Sequence, residues 1–350
     1  MRQRERLFFF GATEMDRPFI QAIANQLGLP LEIRRSGIVY RTLAHLPRLA
    51  ASRRMQRLAQ IISPWVEAIE LRIFTRSTDL ILIRNIRTGI SYLTLCVPLF
   101  WKRPEVVLTW FTMKGRPPAY WSAVYRRALL RAFRVFVFTP TECDTYASWF
   151  EVPSSCFKLV SLEAPSIPPL PDVARPIRFD VIMTGETNRD WQSFAAVCEQ
   201  LPSLKFAAVL PAEHARRLPS LPNLQKFERL PFIEYCQLIT QSTIQLILVL
   251  DHGVAVGQRD FLLAGQLAVP LIATSVQSMR IYDLSGDCVL FVAQADVPGI
   301  CNAIKRLLED EHLRTHQTQA MKARLDESHS LAHVASQWAE NLAIRDSNSK

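Results

Sequence analysis

The sequence lacks the signatures of several common classes of protein. Its seven cysteines are odd in number and no pair has C-x-x-C spacing, which argues against a disulfide framework or a zinc site and favours a reducing, cytoplasmic compartment. The most apolar window, residues 90–101, is 12 residues long, whereas a membrane-spanning helix needs about 20. We therefore expect neither a metal site nor a membrane span.

The N terminus also lacks the pattern of a secretory signal. Its apolar run, Leu7–Phe10, is short and no small-residue cleavage site follows, so we expect a first buried strand that ends at Gly11. The catalytic motifs G-x-S-x-G, H-E-x-x-H, the Walker motif and G-x-G-x-x-G are absent as well. The functional signal must therefore come from the fold and from less specific loops.

The chain has an excess of positive charge. Lysine and arginine number 41 against 32 acidic residues, and basic residues are concentrated in the first sixty positions and again between residues 102 and 134. Such charge attracts the phosphates of a sugar nucleotide, an anionic membrane or nucleic acid, but it is equally typical of a solvated face. No aromatic-rich RNA-binding signature or basic zipper accompanies it, so nucleic acid is the least favoured partner.

Short apolar strands alternate with helical segments along the chain. The strands are rich in Val, Ile, Leu and Phe without polar alternation, which is typical of parallel sheets covered by helices on both faces. Five prolines near the middle resist both helix and sheet and mark a domain boundary. We predict an α/β protein of two doubly wound, Rossmann-like domains facing each other across a cleft. Their expected limits are residues 1–168 and 178–345, with a Pro-rich linker at 169–177.

Four predicted helices are specific enough to be compared with a structure. Residues 42–74 have apolar side chains at helical spacing between arginines, which indicates a basic amphipathic helix. Thr88–Leu99 is predicted to be helical, and Thr141 is the expected N-cap of a helix that ends at Phe150. The tail from residue 313 to residue 343 is predicted to be mostly helical.

Two pairs of histidines lie near or within this tail. His312 and His316, and likewise His329 and His333, are four residues apart, a spacing that suits a metal ion on one face of a helix. No glutamate lies between them in the manner of a zincin, so a plain surface position is the favoured interpretation.

Two loops of the second half carry most of the functional signal. The first follows a predicted strand and contains Gly185, Asn188, Arg189 and Asp190 ahead of a helix. Glycine allows close approach to the backbone, and free N–H groups at a helix start favour an anion, to which Arg189 would add a charge. The simpler interpretation, in which Asn188 or Asp190 caps the helix and Arg189 points to water, stays open.

The second loop contains Gly257, Gln258 and Arg259 between a strand and a helix. Gly257 would let a diphosphate approach the helix start, and Gln258 offers both a donor and an acceptor. Taken alone, an ordinary strand–turn–helix connection explains this loop better.

Together, these segments resemble the C-terminal domain of the family-4 glycosyltransferases. The resemblance covers residues 178–345 through the order TGETNRDW, LPNLQKFERLPFIEYCQLI, IQLILVL, GQRDFLLAGQLAVPLIAT and IKRLLEDEHLR, whereas the first half matches only in rhythm. It implies a GT-B fold that binds a nucleotide-sugar donor and needs no cofactor. The implied donor-binding residues are Gly185, Asn188, Arg189, Asp190, Gly257, Gln258 and Arg259.

The chain departs from that family's pattern at several positions. The family's Glu-x7-Glu pair, whose second carboxylate holds the donor ribose, falls here on Ala255 and Leu263. The glycine before its P-V-I strand is Ala268, and Trp110-Phe111 stands where many members have a histidine. Few charged groups are therefore left to stabilise a leaving diphosphate, and the backbone N–H groups of the two loop glycines are the alternative.

The first half offers candidates for the acceptor side. Glu14 and Asp16 follow Gly11 in a loop that would face the cleft, where either would serve as a base toward an acceptor hydroxyl, although capping of the next helix is favoured. Lys114 and Arg116 follow another strand and would meet an acidic or phosphorylated acceptor. A solvated basic turn is an equal alternative for this pair.

Three functions stay open on the sequence. The favoured one is a cytoplasmic glycosyltransferase that moves a sugar from a nucleotide-sugar donor to an acceptor hydroxyl in polysaccharide or lipid-linked glycan synthesis. Its basic first half would suit peripheral contact with an anionic membrane at its inner face. The second is a catalytically inactive GT-B scaffold or binding protein, which the missing carboxylates and histidine favour. The third and weakest is a basic nucleic-acid-binding protein.

Overall fold

The chain forms two compact units in a computed structural model that describes residues 4–11, 16–35, 53–96, 104–113, 115–167, 169–170, 176–228, 230–283 and 286–344. The first unit comprises the chain up to Ser161 together with the residues from Leu331 onward, and the second comprises Leu162–Ser330. Each unit contains its own sheet and its own helices.

Six parallel strands form the sheet of the first unit. They are β1 (Leu7–Phe10), β2 (Leu31–Arg34), β3 (Leu80–Ile83), β4 (Glu105–Leu108), β5 (Arg134–Val137) and β6 (Phe157–Leu159). Their order across the sheet is β2-β1-β3-β4-β5-β6. Every side chain of β1 and β3 is buried. Since successive side chains of a strand point to opposite faces, both faces of the sheet are covered, as the apolar strand sequences predicted.

The helices of this unit connect the strands in a doubly wound manner. They are α1 (Arg17–Leu27), α2 (Arg53–Phe74), α3 (Ile86–Ser91) with a π-helical turn at Tyr92–Cys96, α4 (Ala119–Leu129), α5 (Pro140–Phe150) with a 3₁₀ turn at Ser154–Cys156, and α13 (Leu331–Ala343) at the end of the chain.

The second unit repeats this architecture. Its strands are β7 (Phe179–Thr184), β8 (Phe206–Val209), β9 (Leu224–Phe227), β10 (Ser242–Ile247), β11 (Leu271–Thr274) and β12 (Leu290–Val292), all parallel in the order β12-β11-β10-β7-β8-β9. Its helices are α6 (Trp191–Gln200), α7 (Ala212–Ala215), α8 (Phe232–Thr240), α9 (Gln258–Gln266), α10 (Gln277–Arg280), α11 (Val297–Glu309) and α12 (Glu311–Ser328). The predicted pair of doubly wound, parallel α/β sheets is confirmed.

Helix α13 packs with the first unit. It lies along α1, and Trp338 inserts among the rings of Phe19, Trp110 and Phe136, with centroid distances of 5.0, 5.0 and 4.9 Å. The indole Nε1 of Trp338 donates a hydrogen bond of 3.1 Å to the carbonyl oxygen of Ser161. The sequence prediction grouped this helix with residues 178–345, because an apolar helix face does not reveal the surface that covers it.

Two predicted helices differ locally from the structure. The N-cap of α5 is Thr139 rather than Thr141: its hydroxyl accepts from the N–H of Glu142 at 3.2 Å, and the Glu142 carboxylate accepts from the N–H of Thr139 at 3.2 Å. This reciprocal capping box, followed by Pro140 at the first helical position, starts the helix earlier.

The predicted helix over Thr88–Leu99 is α-helical only to Ser91 and then widens into the π-helical turn. Of the basic helix predicted over residues 42–74, the structure describes residues 53–74, and the remainder lies outside the described residues.

Candidate functional site

The second unit has a topological switch point between β7 and β10. The chain that leaves β7 forms α6, whose Phe194 packs with Val181 and Met183 of β7 on one face of the sheet. The chain that leaves β10 leads into α9, whose Leu263 packs with Ile182 on the opposite face. Since the two connections diverge, the crevice in which open α/β sheets bind their ligands is expected beyond the carboxyl ends of these strands.

The two loops that border this crevice are joined backbone to backbone. The N–H of Asp190 donates to the carbonyl oxygen of Leu248 at 3.0 Å, and the N–H of Leu250 donates to that of Asn188 at 2.9 Å. Between these bonds, Arg189 and Val249 form an isolated antiparallel bridge. The two loops predicted from the sequence therefore do come together.

Arg189 is buried within this junction and does not point to water. Its Nε donates to the carbonyl oxygen of Thr184 at 2.8 Å and its Nη1 to that of Thr187 at 3.0 Å. Its Nη2 forms an ion pair with Asp260 in the first turn of α9. The guanidinium charge is thus matched by a carboxylate of the protein itself.

Gly185 makes room for this guanidinium. It has a φ of +117°, and a Cβ at this position would collide with the guanidinium of Arg189. The glycine therefore serves the packing of an arginine, a role that the sequence pattern of a phosphate-binding turn does not reveal.

A buried polar network continues from the ion pair. The hydroxyl of Tyr235 donates to Asp260 at 3.0 Å, and the amide of Gln245 donates to the hydroxyl of Thr184 at 3.0 Å. Burial, and after it the charge of Asp260, raise the pKa of Tyr235 well above its ordinary value, so this phenol stays a donor. Sequence reasoning did not identify Asp260 or Tyr235; the signal available was a charged residue in the first turn of a predicted helix.

The start of α9 presents unused hydrogen-bond donors. Gly257 takes the N-cap position with a φ of +78°, and no side chain caps the helix. A Cβ on Gly257 would lie 2.8 Å from Cγ2 of Ile247. Gln258 is only 5% exposed, and its Nε2 has no hydrogen-bond partner among the described residues. An unpaired buried donor beside bare helix amides is a suitable environment for an anion.

The other predicted donor-side residues take distinct positions. Asp190 caps α6, where its carboxylate accepts from the N–H and the hydroxyl of Ser193 at 3.0 and 2.6 Å. Asn188 has a φ of +50°, and its buried Nδ2 has no partner in the described part of the chain. Arg259 is exposed.

In the first unit, Gly11 and Asp16 are brought together by Arg84. Gly11, with a φ of +88°, directly follows β1, and a Cβ there would lie 3.5 Å from Cβ of Arg84. Asp16 is buried, forms an ion pair with Arg84 and makes no capping hydrogen bond to α1. Arg84 follows β3 directly. A charged residue immediately after a buried strand is therefore the sequence signal that would have identified Arg84, and sequence reasoning did not use it. Arg116 is exposed.

Glu14 and Lys114 lie outside the described residues.

One of the two histidine pairs is divided between secondary-structure elements, whereas His312 and His316 both lie in α12. His329 is buried and shares a hydrogen bond of 2.8 Å between Nδ1 and the carbonyl oxygen of Leu162. It lies between α12 and α13, so His329 and His333 do not share one helix face. Among the residues that the structure describes, no group of three His, Cys, Asp or Glu side chains is placed to hold a metal ion.

Comparison with known proteins shows the fold. No family matches the sequence, and no curated protein matches it. Among solved structures, a glycosyltransferase from Rickettsia africae is 11% identical with a TM-score of 0.67, over 97% of this chain and 98% of that one. Anabaena Alr3699/HepE, in complex with UDP and glucose, is 12% identical with a TM-score of 0.64 over 98% and 100%.

A UDP-forming α,α-trehalose-phosphate synthase from Burkholderia xenovorans is 11% identical with a TM-score of 0.64, over 97% of this chain and 100% of that one. The chain thus has the fold of GT-B glycosyltransferases. Across the helices that the structure describes, none combines the length and the apolar character needed to cross a bilayer.

Proposed function

We propose that the chain is a GT-B glycosyltransferase that moves a sugar from a nucleotide-sugar donor to an acceptor hydroxyl. The observation that carries this proposal is the start of α9, where the buried Gln258 amide and uncapped backbone N–H groups border the switch-point crevice. One similar structure is a complex with UDP and glucose, and another is that of a UDP-forming synthase. A UDP-sugar is therefore the donor to test first.

The proposed chemistry needs stabilisation of a leaving diphosphate. Negative charge develops on the diphosphate as the bond to the sugar breaks, and preorganised N–H donors that need no rearrangement lower the barrier. In this proposal Gly257, Gln258 and Asn188 supply such donors and Arg259 adds an exposed charge at the rim. Arg189, whose charge is already matched by Asp260, positions the two loops.

The acceptor side of the proposal belongs to the first unit. Asp16 is a buried carboxylate near the carboxyl end of β1, where it forms an ion pair with Arg84. An ionised carboxylate can take the proton of an acceptor hydroxyl as that hydroxyl attacks the sugar. Gly11 and Arg116 complete the proposed acceptor region, with a polysaccharide or a lipid-linked glycan as the acceptor class.

A catalytically inactive binding protein is the second candidate. One specific observation favours it: Leu263, at the position where the resembling family has its ribose-binding carboxylate, is 3% exposed and belongs to the hydrophobic core. No carboxylate of this chain replaces it at that point of α9. This candidate predicts nucleotide binding without turnover.

Thermal unfolding with UDP tests the proposed donor site. We expect millimolar UDP to raise the melting temperature of the full chain, because a ligand that binds only the folded state stabilises it. Gln258→Glu keeps the shape of the side chain but places a carboxylate beside the diphosphate, and should weaken UDP binding at least about tenfold.

Gln266→Glu, at the exposed opposite end of the same helix, is the matched control and should bind UDP as the parent does. A Gln258→Glu variant that binds UDP with unchanged affinity would contradict this site. An assay for hydrolysis of UDP-glucose, or for transfer of its glucose, then distinguishes an active enzyme from an inactive binding protein.

A further inference from the structure

The start of α4 exposes an aromatic pair. Tyr120 is 71% exposed and Trp121 is half-buried, and the centroids of their rings lie 5.8 Å apart with an interplanar angle of 46°. We refer to Tyr120 and Trp121 as the α4 aromatic pair. An aromatic ring that remains largely in water contributes little to the stability of the fold, so contact with a ligand is the role to examine for this pair.

A second tyrosine of the same helix shows the contrast. The ring of Tyr125 stacks on Phe150 of α5, with 5.1 Å between the centroids and an interplanar angle of 8°. Burial raises the pKa of the Tyr125 hydroxyl. At about 100° per residue, the two tyrosines are about 140° apart around the helix axis. Helix α4 therefore packs on α5 through Tyr125 and turns Tyr120 away from that contact.

The aromatic pair lies at the edge of the first sheet where doubly wound domains bind ligands. Helix α4 follows β4 and leads back to β5, so its first turn lies at the carboxyl ends of the strands. Asp16, the proposed base, follows β1 and lies at the same edge. Only β3 separates β1 from β4, so the ends of these two strands are about 10 Å apart. A ligand that contacts both Asp16 and the aromatic pair is therefore longer than one sugar ring.

A proline turn fixes the position of the aromatic pair. Pro117 and Pro118 precede the helix, and Pro118 takes the N-cap position with a φ of −53°. The carbonyl oxygen of Pro118 accepts hydrogen bonds from the N–H of Trp121 at 2.9 Å and of Ser122 at 3.2 Å. Because proline restricts φ, this turn has few alternative conformations. The rings are thus presented to a ligand at little cost in conformational entropy.

The apolar area around Tyr120 is too small for a protein partner. Among residues 115–130, whose side chains are all described, the other exposed large apolar residue is Leu130, about 15 Å further along the helix. The exposed residues between them are small or charged, namely Ala123, Arg126 and Arg127. A stable protein interface buries about 800 Å² on each side, whereas a sugar ring covers an area similar to that of one aromatic ring.

A pyranose ring is complementary to the aromatic pair. In a glucose-configured sugar the hydroxyl groups are equatorial, so they surround the rim of the ring and leave C–H groups on its two faces. These C–H groups carry a small positive charge, whereas the face of an aromatic ring is negative. The sugar face therefore stacks on the aromatic ring, and the rim hydroxyls keep their hydrogen bonds with water.

We propose that the α4 aromatic pair binds a pyranose ring of a glucose-configured saccharide chain that serves as the acceptor. This inference rests on the proposed function, because it names the acceptor class of that site. The sugar whose hydroxyl is deprotonated lies beside Asp16, and another ring of the same chain stacks on Tyr120. The acceptor is thus recognised through its sugar rings.

Isothermal titration of the full chain with cellopentaose, a short β-linked glucose chain, tests the proposal. We expect cellopentaose to bind at millimolar concentration, whereas sorbitol, which has hydroxyls but no ring face, should not bind. Tyr120→Ala removes the stacking face and should weaken cellopentaose binding about three- to tenfold. Tyr120→Phe keeps that face and should bind within about twofold of the parent chain.

Leu130→Ala, at the other end of α4 and 54% exposed in the parent chain, is the matched control and should bind cellopentaose as the parent does. Both alanine variants should keep the parental melting temperature, because the substituted side chains are exposed. Tyr120→Ala should also bind UDP as the parent does, because the proposed donor site belongs to the second unit.

The proposal is overturned if the parent chain does not bind cellopentaose at millimolar concentration, or if Tyr120→Ala binds it as tightly as the parent. Equal losses in Tyr120→Ala and Tyr120→Phe would overturn the stacking. A parallel loss of UDP binding in Tyr120→Ala would assign the pair to a nucleobase instead. If cellopentaose binds as expected but UDP does not, the glycosyltransferase proposal fails and the saccharide site stands, whereas the converse result removes the saccharide site alone.

Discussion

Arg189 and Asp260 form an ion pair that joins the loop after β7 to the first turn of α9, across 71 residues of sequence. Only 3% of the Arg189 side chain and 17% of the Asp260 side chain are exposed. The pair therefore fixes the position of the α9 start relative to Gly185. Because the Asp260 carboxylate balances its charge, Arg189 is not an uncompensated cation.

Breaking this pair from one side should be costly. Asp260→Asn leaves the buried guanidinium of Arg189 without its counter-charge, and we expect the free energy of unfolding to fall by about 3–5 kcal/mol. Denaturant unfolding of the full chain measures this loss.

The exposed pair of Arg126 and Glu151, with side chains 51% and 74% exposed, provides the control: Glu151→Gln should cost less than about 1 kcal/mol. Equal losses in the two variants would contradict a buried clamp.

Gly185→Ala should destabilise the chain for two separate reasons. Its φ of +117° is unfavourable for alanine, and the new Cβ would collide with the Arg189 guanidinium. Gly28→Ala measures the cost of a positive φ without a collision, in the milder left-handed region, because Gly28 has a φ of +63° with no atom within 4 Å of an added Cβ.

We expect about 1–2 kcal/mol for Gly28→Ala and a larger loss for Gly185→Ala, measured by the same denaturant unfolding. A smaller loss at Gly185 would show that the loop rearranges at little cost.

Trp338→Ala should test the attachment of α13 to the first unit. The substitution removes a fully buried ring from contact with Phe19, Trp110 and Phe136, and we expect a loss of about 3–5 kcal/mol. Tyr120→Ala removes an aromatic ring that is 71% exposed and should change stability by less than about 0.5 kcal/mol. Comparable effects of the two variants would contradict the packing of α13 on α1.

Alkaline pH should destabilise the chain through a buried thiol. Burial raises the pKa of Cys198 to about 12 from an ordinary value of 9.0. Above pH 9 the unfolded chain loses this proton while the folded chain retains it. The stabilising contribution is therefore complete below pH 9 and declines between pH 9 and 12, by up to about 1.4 kcal/mol per pH unit.

The free energy of unfolding, measured from pH 8 to 11, should fall less steeply for Cys198→Ala than for the parent chain. Identical slopes above pH 9 would show that this thiol titrates normally. Below pH 9 the two slopes should agree, which serves as the internal control.

The strands were predictable because their signal is local. Leu80–Ile83 is a run of apolar residues, and Phe179–Thr184 contains the apolar run Val181–Met183; such runs occur in strands that are covered on both faces. Two parallel sheets followed from the repetition of this pattern. The start of α5 was harder to predict. The helix begins after Thr139 because Thr139 and Glu142 exchange hydrogen bonds, whereas the sequence alone offers Thr141 as an equally suitable N-cap.

The candidate site was predicted only in outline. Glycines between strands and helices located the two loops, and the structure joins those loops through Asn188, Asp190, Leu248 and Leu250. Which of their side chains can meet a ligand depends on partners that are distant in sequence. The charge of Arg189, for example, is already matched by Asp260. No property of the TGETNRDW segment alone distinguishes a guanidinium that meets a ligand from one that meets a carboxylate.

Two parallel α/β sheets can be predicted from the residues alone, because an interior strand must place apolar side chains on both faces, and consecutive apolar residues meet this requirement. Three features became visible only in the folded chain: Asp260 pairs with Arg189, α13 packs with the first unit, and α2 exposes isoleucines. These features depend on which distant surfaces meet, and chain folding brings such surfaces together without a local mark in the sequence.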